Sequence, residues 1–573
     1  MASSTSWLAK KYNWVAEMSD VYKNCRSNWK YGLARECRRG LVRGMGYTEE
    51  EFERPLIAVV NSWNEYNPGH VHLRNLSERV KQGIREAGGL PFEVMTTAVC
   101  DGMVLGNEKY IELPSRNSIA DEVELIVESN MFDGMVMLST CDSIVPGHLM
   151  AAARLNIPTI MVTGGYMPMP YLDGKFANYS DLSDHIGKTM QGKYDRAQAE
   201  REVAGMYHSC GACGIMTTAN SMCLVAEALG MALPGNSIMS ATSPELLQCA
   251  FKAGRQIMKL LEMNIKARDI ITEKSIENAI AATMAMAGSI NLMMHIPAVA
   301  TEAGLVGQWW KLFDKASNEV PQIVGACPSG PWHLQDVDRA GGSKAVFARL
   351  MPKLHSDCLT VTGKTVAENY AEAKVYDESV IGSLEKPYAK NGGLNVLYGS
   401  LAPEGGIVKA GAVTEDMRRF KGTAKVFDSL EEAMKALRAD KISPGDVAVI
   451  RYLGPKARFG TTAYTFQKEL KGRGLAHSVA IVTDGRFSGA SSGLSIGYVS
   501  PEAGLGGPLA LVKNGDIIDI DVDERKLDLC VDQDELELRR KKWKWVFPKE
   551  KYPPFLRLFS KCVGSLAKGA VWE

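Results

Sequence analysis

Residues 132–162 read FDGMVMLSTCDSIVPGHLMAAARLNIPTIMV. Met135 to Leu138 predicts a strand, His148 to Leu155 a helix, and Thr159 to Val162 a second strand. Two short apolar strands joined through a helix must run parallel, and a parallel sheet needs helices over both faces. Ligands of such sheets gather beyond the carboxyl ends of the strands. The turn Ser139 to Gly147 stands at such an end and sets the thiol of Cys141 beside the carboxylate of Asp142.

The same alternation continues toward the N-terminus. Leu56 to Val60 reads as a buried strand, and Leu73, Leu76, Val80 and Ile84 recur at helical spacing up to the stop Gly88-Gly89. Val94 to Val99 reads as another strand and Ile119 to Ser129 as a helix. From Ser209 to Met293 the chain turns to helices rich in Ala, Leu and Met. In Ala219 to Leu233, Met222, Val225 and Leu229 share one face, a core stripe rather than a cofactor box.

The expected fold is therefore α/β over residues 1–370, a parallel sheet with helices. Residues 371–390 fall in a stretch poor in apolar periods and read as a linker. Residues 391–573 carry short segments punctuated by Gly and Pro: Gly405 to Val413, Asp446 to Tyr452, Ser478 to Thr483, Ala510 to Val512 and Ile517 to Val522. These predict a β-rich, barrel-like second domain.

Composition narrows the function. Across 573 residues, Lys+Arg and Asp+Glu stand equal at 66 each, so no net field draws nucleic acid or an anionic membrane. Met1 to Lys11 has no apolar core of a signal peptide, and no apolar run reaches the roughly 18 residues of a membrane span. A soluble, cytoplasmic protein is expected, with small molecules or copies of itself as partners. Twelve cysteines in so long a chain do not form a disulfide framework. Cys249, Cys358 and Cys562 read as small buried hydrophobes, whereas Cys100, Cys141, Cys210 and Cys213 stand in turn-like, Gly-rich company.

A Cys-Asp pair at a strand end occurs twice, in Val99-Cys-Asp-Gly102 and Thr140-Cys-Asp-Ser143. Thiolates suit iron-sulfur clusters or zinc, and carboxylates suit Mg²⁺. One pair alone reads equally as a buried Cys beside a helix-capping Asp; two pairs and a third Cys segment point to a site. That third segment, His208-Ser-Cys-Gly-Ala-Cys-Gly214, is a soft-metal chelate or a redox pair by its spacing. Without a second C-x-x-C it does not build a closed zinc ribbon. Three cysteines from distant segments would leave one iron open to substrate.

The segments TAVCDGM (97–103), PSRNSIADEVE (114–124), STCDSIVPGHLMAAARLNIPTI (139–160), CGACGIMTTANSMCLVAEALGMALPG (210–235), GSLAPEGGIVK (399–409) and VTDGRFSGASSGLSIGYVSPEAGLGGPLALVKNGDIIDID (482–521) together resemble the dihydroxy-acid and phosphogluconate dehydratase family. The likeness spans about residues 35–545 in order. It implies an N-terminal α/β domain holding an iron-sulfur cluster, a C-terminal barrel, a homodimer or homotetramer, and removal of water from a 2,3-dihydroxy acid or sugar acid to give a 2-keto acid. It also implies Ser488, in the turn GRFSG, as the base.

The ligands carry over unevenly. Branched-chain members place a cluster Cys in an N-P-C or T-P-C motif, which here is Asn67-Pro-Gly-His70, so Gly69 supplies no ligand. The phosphogluconate branch uses the Cys of C-D-G instead. The resemblance thus implies Cys100, Cys141 and Cys213 as the cluster set, of [4Fe-4S] rather than [2Fe-2S] type, with Cys210 a fourth ligand, a substitute or an inert neighbour. Asp101 and Asp142 match the family's Mg²⁺ aspartates, but the Lys whose carbamate completes that site is Ser143 here, and Ala463 stands for the usual Glu. Lys456 and Arg458 could then hold an anionic substrate in place of a metal bridge, with Arg116 as a carboxylate partner and His70 and His148 as donors. Two readings result: an iron-sulfur dehydratase of a divergent branch, or a noncatalytic or redox-sensing homologue.

Overall fold

The computed structural model describes residues 24–27, 33–104, 108–172, 175–176, 195–207, 209–487 and 493–573. Four parallel strands form the first sheet: β1 (Leu56–Asn61), β2 (Leu90–Met95), β3 (Gly134–Ser139) and β4 (Thr159–Thr163), in the order β2-β1-β3-β4. Every residue of β1, β3 and β4 is buried, as a sheet covered on both faces requires. Register sets Ile57 beside Gly134 and Met135 beside Thr159, so the carboxyl ends of β1, β3 and β4 come level.

The covering helices include α1 (Leu73–Glu86), α2 (Leu113–Asn130), α3 (Ile144–Leu155), α4 (Thr218–Ala228), α5 (Pro244–Met263), α6 (Glu273–Ala285) and α7 (Leu292–Glu302). Helices α1 and α5 approach so closely that a side chain at Gly83 would meet the Phe251 carbonyl at 2.2 Å, and one at Gly254 the Val80 carbonyl at 2.2 Å. Helix α2 begins six residues before the apolar period announces it, and α3 begins at Ile144, directly after the Cys-Asp-Ser turn. Helix α4 stops at Ala228, ahead of Gly230 at φ +89°. Strand β2 lies earlier than the expected Val94 to Val99. Pro91 looks like a breaker in sequence, but β2 is an edge strand, where a missing amide costs no ladder bond.

The second unit is an eight-stranded mixed sheet: β5 (Leu394–Leu397), β6 (Gly405–Lys409), β7 (Arg419–Phe427), β8 (Asp446–Ile450), β9 (Ala480–Thr483), β10 (Ser495–Ser500), β11 (Ile517–Asp521) and β12 (Lys526–Leu529). Their order is β12-β11-β7-β8-β9-β10-β6-β5, and a bridge between Tyr398 and Lys526 joins the two edges into a nearly closed barrel. Alternation along β8 splits two cores: Val447 and Val449 join the barrel interior, while Ala448 and Ile450 face the outer layer with Phe466 and Leu470. Ala510 to Val512, expected as a strand, belongs to the 3₁₀ turn Pro508–Leu511, which Pro508 opens.

Two segments tie the units together. Val380 and Ile381 of the 371–390 stretch lie in the first core, and so do Leu556, Phe559 and Val571 from the end of the chain. Tyr498 of β10 donates its buried hydroxyl to Asn291, at the start of α7.

Replacing Gly83 with Ala should force α1 and α5 apart and lower stability by about 2 kcal/mol or more, because the obstructing atom is a backbone carbonyl. Urea denaturation followed by circular dichroism measures this; a midpoint equal to the native chain would refute it.

Candidate active site

Strand β3 ends at Ser139 and the chain turns through Thr140, Cys141, Asp142 and Ser143 before α3 begins. His70 fixes this turn. Its Nδ1 lies 2.9 Å from the Ser62 carbonyl, which only accepts, so Nδ1 carries the proton and Nε2 accepts from the Cys141 amide at 3.2 Å. Burial holds the ring neutral, at a pKa of about 3. His70 is thus committed to holding Cys141 in place, with both nitrogens spent, and does not offer a proton to a substrate.

Three of the expected thiols converge. Cys141 and Cys100 share a hydrogen bond that lowers Cys100 to about 6 and raises Cys141 well above its ordinary value; the amides of Gly102 and Met103 further favour the Cys100 thiolate. Burial pushes the Cys213 thiol up to about 12, and the charges of Asp142, Cys100 and Asp101 add to the shift. The Cys141 sulfur also lies 3.4 Å from Asn67 Oδ1. A side chain at Gly69 would meet that sulfur at 2.6 Å, so position 69 opens straight onto the thiols. Cys210 stands apart: burial raises its thiol, and no charge from the other three acts on it.

A carboxylate group lies against the thiols. Ligand oxygens of Asp101, Glu112 and Asp142 all fall within 4.8 Å of one another. Burial first, then the charge of Asp142, raise Asp101 well above the usual carboxylate range; burial and the charge of Glu112 raise Asp142 to about 7. Burial would lift Glu112 as well, but Arg486 and His295 outweigh it and hold it at about 2. Arg486 Nη1 stands 2.8 Å from Glu112 Oε1, with the two side chains 7% and 2% exposed. Its Nε donates to the Gly460 carbonyl, and its own carbonyl accepts from the Ala463 amide at 2.8 Å. The position lacking the family Glu is therefore bonded to the residue that reaches the carboxylates.

Glu112, Arg486 and His295 were not singled out from sequence. One signal was available: Glu112 is an acidic residue inside the apolar run Tyr110-Ile-Glu-Leu-Pro114, at φ +60°, a conformation rare outside glycine.

Other expected site residues are engaged elsewhere. Arg116 is fully buried and donates to the carbonyls of Gly569 at 2.6 Å and Ala570 at 2.9 Å, so its guanidinium anchors the end of the chain and not a substrate carboxylate. Arg458 pairs with Glu431 at 2.8 Å, and the Lys456 ammonium reaches only the Lys561 carbonyl at 3.5 Å; neither replaces the missing metal ligand. At the start of that short helix the backbone amide of Lys456 itself donates to Glu502 at 2.9 Å. His148 is buried against Thr96 Oγ1 at 3.1 Å and held neutral, at about 3. Ser488 lies outside the described residues.

The sequence matches family models throughout: dihydroxy-acid/6-phosphogluconate dehydratase N-terminal over residues 54–369, and the C-terminal model over 379–570. The chain belongs to this family. It is 45% identical over 549 residues to dihydroxy-acid dehydratase 1 of Methanosarcina acetivorans, covering 95% of this chain and 99% of that one. It is 46% identical over 553 residues to the dihydroxy-acid dehydratase of Moorella thermoacetica and 43% over 550 to that of Pyrococcus abyssi, each with the same coverage. As a member it is a dehydratase, a hydro-lyase. Among the described residues no helix is long and apolar enough to cross a membrane.

The raised carboxylates make metal-free protein sensitive to pH. Asp142 keeps its proton up to about 7 in the fold, against 3.8 ordinarily, so its favourable contribution is complete below about pH 4 and is lost as pH rises to 7. In chelator-treated protein the urea midpoint should fall from pH 5 to pH 8, and Asp142→Asn should recover a loss on the order of a few kcal/mol. A variant whose midpoint follows the native pH curve would contradict this.

Proposed function

We propose that the chain dehydrates a hydroxylated carboxylic acid, a 2,3-dihydroxy or sugar acid, to a 2-keto acid with an iron-sulfur cluster on Cys100, Cys141 and Cys213. The observation that carries this reading is the convergence of those thiols with three carboxylates at the junction of the two units, where Arg486 enters from the GRFSG segment. Thiols from three separate loops fit a cluster with one iron left for substrate, and the C-D-G cysteine standing in for the N-P-C one favours [4Fe-4S] over [2Fe-2S]. The adjoining oxygens fit a hard cation such as Mg²⁺. When bound, these groups supply Lewis acidity toward the departing hydroxyl and positive charge that eases deprotonation beside them.

The protein's own residues supply position and proton traffic. Elimination removes the proton at C2, breaks the C3–O bond to release water, and leaves an enol that tautomerises to the keto acid. Ser488 is the proposed base. Arg486, two residues before it in the chain, is buried and paired with Glu112, and Phe487 is buried in the outer core of the second unit. His70 and Asn67 hold Cys141 from behind. Among the described residues no disulfide joins any of the cysteines, in keeping with a reducing cytoplasm, and a homodimer or homotetramer belongs to the same reading.

Anaerobically purified protein should be brown, contain iron and sulfide, and convert members of a dihydroxy-acid and aldonic-acid panel to 2-keto acids trapped by semicarbazide. Cys100→Ser should remove most of the iron and lower turnover by more than about 100-fold, whereas Cys210→Ser should leave both near native. Colourless, iron-free and inactive native protein would sink the proposal.

A further inference from the structure

We propose that Glu112 is the third carboxylate ligand of a divalent-cation site formed with Asp101 and Asp142, a site assembled without a carbamylated lysine. The inference deepens the functional reading above and rests on it. At the roughly 2.1 Å that Mg²⁺ prefers, neighbouring ligand oxygens stand about 3 Å apart and opposite ones about 4.2 Å. Three oxygens already within 4.8 Å of one another need only a small contraction to share one ion.

The second observation is an unmet valence. Glu112 Oε2 is buried, on a side chain 2% exposed, and finds no donor within hydrogen-bond distance; His295 Nε2 stands 3.6 Å from it and makes no hydrogen bond either. Asp101 Oδ1 is buried without a partner too. Oxygens left bare in this way are costly unless something positive faces them. The other oxygen of Glu112 is spent on Arg486, so the carboxylate is split between a fixed cation on the second unit and an open valence toward Asp101 and Asp142. Ser143 and Ala463 give no carboxylate, and neither Lys456 nor Arg458 turns to the site. All-oxygen ligation selects a hard ion, Mg²⁺ or Mn²⁺.

Mn²⁺ titration of the anaerobically purified holoprotein, followed by the loss of the free-ion EPR signal, tests this. The native chain should bind one Mn²⁺ that Mg²⁺ displaces. Glu112→Gln should weaken binding at least tenfold with iron content unchanged, and Glu112→Asp should weaken it less. Arg458→Met, which breaks the pair with Glu431 and leaves the three carboxylates and Arg486 in place, should bind within about threefold of native. Equal binding by Glu112→Gln and the native chain would overturn the proposal, as would equal losses in Glu112→Gln and Arg458→Met, or no Mn²⁺ binding by the native protein. Should Glu112→Gln not fold, native-like binding by Glu112→Asp overturns it and weakened binding upholds it. Iron-free protein would defeat the functional reading while leaving this titration decisive; iron and turnover with Mn²⁺ binding indifferent to Glu112 would defeat this inference alone.

Discussion

The buried ion pair between Glu112 and Arg486 is where the two halves of the molecule meet chemically. Glu112 is presented by the last residue before α2, and Arg486 by the segment that follows β9. Neither charge has water to fall back on, so each depends on the other, and removing one would strand its partner in a medium that solvates it poorly. The pair fixes how the carboxylates of the first unit face the GRFSG segment of the second. Tyr498 on Asn291 and Arg116 on the carbonyls of Gly569 and Ala570 brace the same junction with neutral acceptors. A site built at such a junction inherits its geometry from two cores rather than from one flexible loop.

The thiols follow a different logic. Cys100 is stabilised as a thiolate by the Cys141 thiol and by two amides; the same hydrogen bond, then burial, raises Cys141, and burial raises Cys213. The trio therefore shares charge, which suits the cluster proposed above, whose ligands must lose protons on binding iron. With glycine at 69, the third sulfur of the proposed set is that of Cys100 in the loop after β2, and a Cβ at 69 would stand 2.6 Å from the Cys141 sulfur.

Much of this was legible in the sequence because it rests on short-range patterns. The alternation around residues 132–162 yields β3 and β4 to within a residue at each end and α3 from four residues past its start, and the repeated Cys-Asp pairs yield two thiols and two carboxylates that do come together. Strands β5, β7, β10 and β12 were missed because barrel strands owe their existence to partners distant in the chain, not to local period. The roles of Arg116, Lys456 and Arg458 were misjudged for a related reason. A cation near a motif reads as a substrate contact, yet a buried guanidinium can be consumed by carbonyls from the far end of the chain, and a surface one by a neighbouring acid. Glu112 escaped notice because nothing in its neighbourhood along the sequence repeats.

The replacement of a family lysine by Ser143 acquires a consequence once Glu112 is placed. A carbamate forms only where carbon dioxide adds to a lysine amine, so a site that uses one depends on that addition. Glutamate carries its charge intrinsically, and Arg486 keeps it ionised at any pH above about 2. With one carboxylate standing for both the carbamate and the family Glu, the set holds one formal negative charge fewer and leaves more of a cation's coordination open. Open coordination is filled by water or by oxygens of the substrate. Under the ligation proposed above, the pocket would exchange a tightly enclosed cation for one more exposed to what enters, and the oxygens of a hydroxy acid would become part of what completes the site.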